Sequence, residues 1–211
     1  MIDATSVKNS ISAISKAMAL NIDLLTKLDS EAGDGDLGIS MKQGFSAAAE
    51  TLASFEEEDV GKLLMKCSAV LNETSPSTLG TILSMGIFAS GKALKGKTEC
   101  SAIEAADAFD LGLQAIMKRS KSKPGEKTIL DALIPAQNAL REAALLGLSD
   151  SELLKAAAKA ASEGCEKTKS MVSIHGRAAY YASNSIGRQD GGATAGKIIF
   201  EALSKSSREA I

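Results

Sequence analysis

Residues 6–28 read SVKNSISAISKAMALNIDLLTKL. Val7, Ile11, Ile14, Met18, Ile22, Leu25 and Leu28 recur at intervals of three and four. That spacing draws one apolar stripe down an α-helix, and no period-two alternation competes with it. The stretch therefore predicts a helix over 6–28, and the same period continues downstream. It predicts helices over about 40–54, 60–71, 79–94, 99–117, 128–146, 149–169 and 193–206. Leu63, Cys67 and Val70 are in register in the third. The fourth is apolar almost all round and is expected to be the most buried. The seventh opens on Ser149-Asp150-Ser151-Glu152, a capping signal. Eight helices, short connections and no convincing strand predict an all-α, antiparallel up-and-down bundle. No repeat, linker or composition shift divides it, so residues 1–211 are read as one domain.

Composition narrows the class. The chain has 211 residues, 45% of them apolar, and a net charge of −2. A packed globular core is expected, and no basic run suggests nucleic acid. Aromatics are 3% and Trp is absent, so the core must be built from Ala, Leu, Ile and Met. Cys67, Cys100 and Cys165 are odd in number and widely spaced, which reads as free thiols in a reducing cytoplasm. Residues 1–10 are too polar for a signal peptide, and no run approaches 18 apolar residues, so no membrane partner is expected.

The non-helical pieces are 29–38, 72–78, 118–127 and 175–192. If the helices alternate up and down, these follow the first, third, fifth and seventh and so gather at one end. The first contains Asp29, Asp34 and Asp36 among Gly33, Gly35 and Gly38. One Asp is enough to cap the next helix. Three carboxylates held together repel unless a hard cation such as Mg²⁺ or Ca²⁺ sits between them. The loop is too short, and out of phase, for an EF-hand. Metal binding and a capping turn both remain open from the pattern alone. The second piece, N-E-T-S-P-S-T-L-G-T over 72–81, is rich in hydroxyls before a helix. It reads as an N-cap or as a phosphate cradle. In the fourth, Arg177 reads as a phosphate clamp or a surface ion pair, and His175, the single histidine, as structural.

Four segments together resemble the L subunit, or L domain, of dihydroxyacetone kinases. They are Asp29…Gly33-Asp34-Gly35-Asp36-Leu37-Gly38, Thr74-Ser75…Gly80-Thr81, Pro124-Gly125-Glu126-Lys127-Thr128-Ile129-Leu130-Asp131-Ala132-Leu133, and Gly176-Arg177-Ala178-Ala179-Tyr180…Ser185-Ile186-Gly187-Arg188-Gln189-Asp190-Gly191-Gly192-Ala193. The resemblance covers nearly the whole chain. It implies an eight-helix α-barrel with a nucleotide, ADP or ATP, at one end. It implies two Mg²⁺ ions on Asp29, Asp34 and Asp36. Leu37, Gly38, Ile39, Ser40, Thr74 and Ser75 would approach the phosphates, and Ser120 and Ile129 the adenine. Arg177 would contact phosphate and serve catalysis, and Asp190-Gly191-Gly192 would form a nucleotide-contacting turn. The resemblance further implies half of an enzyme. Substrate would be held on a separate K subunit, and bound ADP would be recharged by a histidine-phosphorylated phosphocarrier subunit. An ATP-dependent kinase for another small ketose and a non-catalytic regulatory paralogue stay open, as does a homodimer. The chain departs from the family pattern at Leu37, where the family has His. It departs again at Asn72-Glu73, where the family has Gly-Gly, in the S-P-S-T-L-G that follows Thr74, and at Gly191, where it has Pro.

Overall fold

The structure is a computed structural model and describes residues 1–209. Its helices are α1 (Ala4–Leu20), α2 (Ile22–Ser30), α3 (Leu37–Ala53), α4 (Val60–Thr74), α5 (Thr78–Leu94), α6 (Ala102–Ser120), α7 (Leu130–Leu145), α8 (Asp150–Lys167) and α9 (Gly191–Glu209). Short 3₁₀ turns cover Thr168–Ser170 and Arg177–Ser185. Two short strands, β1 (Ile2–Asp3) and β2 (Glu99–Cys100), pair antiparallel, Ile2 opposite Cys100.

The expected single first helix is in fact two. Its apolar stripe stays on one face, with Val7, Ile11, Ile14, Met18 and Leu25 all buried. At Asn21, however, the side-chain amide donates to the Ala17 carbonyl, and the backbone leaves helical angles. A side chain competing for the helix's own carbonyl is the local cause of the break. The stripe resumes in phase on α2, which is why periodicity did not register it.

Neighbour relations close a ring. α1 packs on α3, and each helix from α3 to α9 packs on the next; α9 returns to α1. α2 caps one end against α3 and α9. Counted this way the barrel has eight staves, and the all-α expectation holds. Large side chains such as Met18, Met41, Phe45, Leu63, Leu71, Leu113 and Leu130 fill the interior with less than 2% exposure. The helices approach closely because small residues stand at the contacts. At Gly164 of α8 an added Cβ would press on the Asp131 carbonyl of α7.

The most apolar helix, α5, is not the most buried. Met85 and Phe88 face solvent, 38% and 44% exposed. Its other face, with Leu83 and Ile87, lines an apolar cavity of about 290 Å³ inside the ring that Phe45, Ile116, Leu133 and Phe200 also border. A helix in a ring touches two neighbours and the lumen, which leaves an outer strip uncovered. Cys67, Cys100 and Cys165 are buried free thiols, and burial pushes Cys67 up to about 12. Among the described residues no helix is long and apolar enough to cross a membrane.

Candidate functional site

Alternating helix direction brings four connections to one end: 31–36, 75–77, 121–129 and 168–190. The contacts are direct. Arg177 Nη2 lies 2.8 Å from Asp34 Oδ2. Arg188 donates to the Glu31 carbonyl at 2.8 Å. His175 Nε2 lies 2.6 Å from Glu126 Oε2. Pro76, Ser77 and Thr78 share a cleft of about 500 Å³ with Arg119, Ser120, His175 and Gly176.

The acidic loop builds the centre of this end. Asp29 closes α2, and its Oδ2 accepts from the amides of Asp36, at 3.0 Å, and Leu37, at 3.3 Å. The cap of α3 is thus supplied from the preceding helix. Asp36 stands at the N-cap position itself but makes no capping bond. A carboxylate oxygen of each of Asp29, Asp34 and Asp36 lies within 4.8 Å of the others. Burial, then the charges of Asp34 and Asp29, push the Asp36 carboxyl above its usual range, against the opposing effect of Arg177. Gly35 takes φ +76, a conformation glycine adopts without strain, and so turns the loop back on itself. With Leu37 N–H occupied, helix geometry leaves the amides of Gly38 and Ile39 pointing out of the α3 terminus. Repelling carboxylates beside free amides make a donor set suited to a hard cation carrying an anion.

The other expected residues fare differently. Leu37 is buried against the start of α9 beside Gly191, an apolar contact in place of a polar reach. Ile39 is exposed, whereas Ser40 is buried with its hydroxyl on the Leu37 carbonyl. Thr74 belongs to the last turn of α4, longer than expected, and its hydroxyl donates to Val70. Ser75 is fully buried, wedged between Gly44 and Gly80, with its Oγ unpartnered. Neither hydroxyl faces the open site. Glu73 is exposed, and Asn72 accepts from Ser84 on α5. Ser120 borders the cleft, its hydroxyl shared between Ile116 O and Ser122 Oγ. Ile129 is buried against Gly192 and Gly196 and does not border that cleft. Asp190 caps α9 through the Ala193 amide, at 2.6 Å, and its own amide donates to Thr168 Oγ1. Burial, with the Asp131 charge, pushes its carboxyl up to about 6.

Arg177 is an ion pair, as its plainer reading had it, but the partner is an acid of the candidate site. His175, read as structural, pairs with Glu126 and also borders the cleft. Reasoning from sequence passed over Lys127, Asp131 and Arg188. Asp131 accepts from Gly125 and Thr128 and folds the 121–129 connection. Lys127 lies inside, bonded only to carbonyls. The available signal was a charged lysine among the apolar and turn residues of 124–133.

The structure is a helical ring with an acidic, glycine-turned loop at one end. The DAK2 domain model matches residues 31–205, and the chain belongs to that family. It is 28% identical over 205 residues to the ADP-binding subunit DhaL of the PEP-dependent dihydroxyacetone kinase of Escherichia coli K12, covering 97% of this chain and 98% of that one. It is 31% identical over 200 residues to the L-erythrulose kinase of Pectobacterium atrosepticum, covering 94% of this chain but 34% of the relative. The dihydroxyacetone kinase from C. freundii in complex with AMP-PNP and Mg²⁺ superposes with a TM-score of 0.77 at 23% identity, over 96% of this chain and 34% of that one. At that identity the likeness is one of fold.

Proposed function

We propose that the chain is the nucleotide-binding subunit of a dihydroxyacetone-type kinase. In this reading Asp29, Asp34 and Asp36 hold two Mg²⁺ ions on ADP or ATP. The observation that carries it is the convergence of three carboxylates within 4.8 Å at the N-terminus of α3. Bound there, Mg²⁺ would supply charge neutralisation and Lewis acidity to the phosphoryl oxygens. The rest falls to the protein. The Gly38 and Ile39 amides donate to phosphate oxygens, and Asp29 keeps that helix end in place. Arg177 exchanges Asp34 for phosphate, where its planar fork donates in two directions. Its side chain, 64% exposed, is free to make that exchange. The cleft beside Ser120 takes the base. Ser75 acts from behind, spacing α3 from α5.

Substrate lies on a separate K subunit in this proposal, and a histidine-phosphorylated phosphocarrier subunit recharges ADP in place. The end-to-end match with an ADP-binding subunit supports it. The likeness to part of an L-erythrulose kinase supports a second reading, in which the same site exchanges ATP and serves another small ketose. Acid release of nucleotide from freshly purified protein, with and without prior EDTA, separates them. Stoichiometric ADP that leaves only after chelation is the expected result. An empty protein that binds Mg·ATP reversibly favours the second reading, and one that binds neither sinks both.

A further inference from the structure

Lys127 stands at φ +59, in the left-handed region, with only 6% of its surface exposed. Its Nζ donates to the carbonyls of Ser185 at 2.6 Å, Arg188 at 2.7 Å and Met171 at 3.3 Å. An ammonium has three N–H groups, and here each has one carbonyl. These carbonyls come from the two ends of one excursion of the chain. Residues 169–173 and 185–188 lie side by side, joined by Gly187 N–H to Lys169 O at 2.7 Å and Ser173 N–H to Ser185 Oγ at 2.9 Å. Between them runs the 3₁₀ turn that begins at Arg177 and kinks at Ala182, φ +44. Tyr180, near its middle, is 90% exposed. This segment rests on the site through exposed or half-buried contacts, Arg177 on Asp34, His175 on Glu126 and Arg188 on the Glu31 carbonyl. The fastening at its neck is the buried cation.

We propose that Lys127 is a positioning residue, whose ammonium closes the neck of the 171–188 segment and so holds Arg177 over the acidic loop. Burying a charge without a carboxylate partner is costly, and a neutral side chain would avoid that cost. A neutral side chain would also leave three carbonyls converging with nothing between them. Their mutual repulsion would part the two strands of the neck. Burial lowers the Lys127 pKa, with Asp190 opposing, so the cation is held by dipoles and a nearby charge together. Glu126, adjacent in sequence, fastens the other side of the same segment through His175. One short connection, folded by Asp131, thus controls both.

The effect on nucleotide rests on the function proposed above, whereas the anchoring does not. The test is Lys127→Met, with Lys127→Arg beside it to restore a cation. Three readings are taken on the full chain: trypsin cleavage after Arg177 and Arg188, release of Mg²⁺ with a fluorescent ADP analogue, and thermal unfolding. Lys127→Met should speed cleavage and release at least about tenfold, the factor that one hydrogen bond to a charged group is worth. Lys127→Arg should restore most of the protection. Lys127→Gln, which keeps two donors, takes the place of Lys127→Met if that variant does not fold, with the same signs expected. A lower melting temperature with unchanged cleavage and release overturns the proposal. If the unaltered protein binds no nucleotide, the proposed function falls, and cleavage alone decides the anchor.

Discussion

Asp29 caps a helix with the same carboxylate that the proposed function gives to a cation, and that double use shapes what its neighbours can do. It releases Asp36 from capping, so two acids beside it are left to repel. Asp34→Asn removes one of the three. The lost contact with Arg177 is exposed, so the change in stability should stay within about 1 kcal/mol by urea unfolding. Mg·ADP binding, read by calorimetry, should weaken more than about a hundredfold, beyond what outer-shell changes usually cost. Retained binding would refute the three-carboxylate site. Asp190 gives a separate expectation. Burial pushes its carboxyl up to about 6 from the 3.8 of a free aspartate, so its ionisation opposes folding. At this site stability falls as pH rises from about 4 to 6, and the penalty persists above that. Asp190→Asn keeps an acceptor for the Ala193 amide. It should add about 3 kcal/mol at pH 7 and nothing at pH 3. Equal effects at both values would show that the charge is irrelevant.

At the scale of elements, sequence periodicity located helices well because each stave buries one stripe. Ser149 and Glu152 form the capping box their spacing announced. The break at Asn21 was illegible because the stripe crosses it in phase. The exposure of α5 was illegible because apolarity does not reveal that one face looks into a cavity. Asp29, Asp34 and Asp36 were legible as a trio, since like charges on a glycine-rich turn ask for a counterion. That Ser75 turns inward was not, since hydroxyls serve packing and binding alike. Close packing of α7 on α8 adds a prediction. Gly164→Ala sets a methyl against the Asp131 carbonyl and Pro135. It should cost about 1–3 kcal/mol in urea unfolding. Because Asp131 folds the 121–129 connection, cleavage after Arg177 should quicken as well. Destabilisation without that change would mean α7 yields before the loop does.

For the whole molecule, a closed ring of alternating helices sorts its connections into two sets. Those at 31–36, 75–77, 121–129 and 168–190 form one end; those at 54–59, 95–101 and 146–149 form the other. No single loop holds the site, so ligand binding should be felt by all four members of the first set together. Mg²⁺ and ADP added jointly should slow hydrogen exchange in each of them and leave the opposite end unchanged. Either component alone should do much less, because the carboxylates repel a bare diphosphate and the amides offer nothing to a bare cation. At a hundredfold excess over the dissociation constant the joint gain in stability is about 2.7 kcal/mol. Protection confined to 31–36 would reduce the site to a metal-binding turn. Protection spread evenly over both ends would mean that the ring tightens as a body, and that the lumen beside α5, not the loops, responds to the ligand.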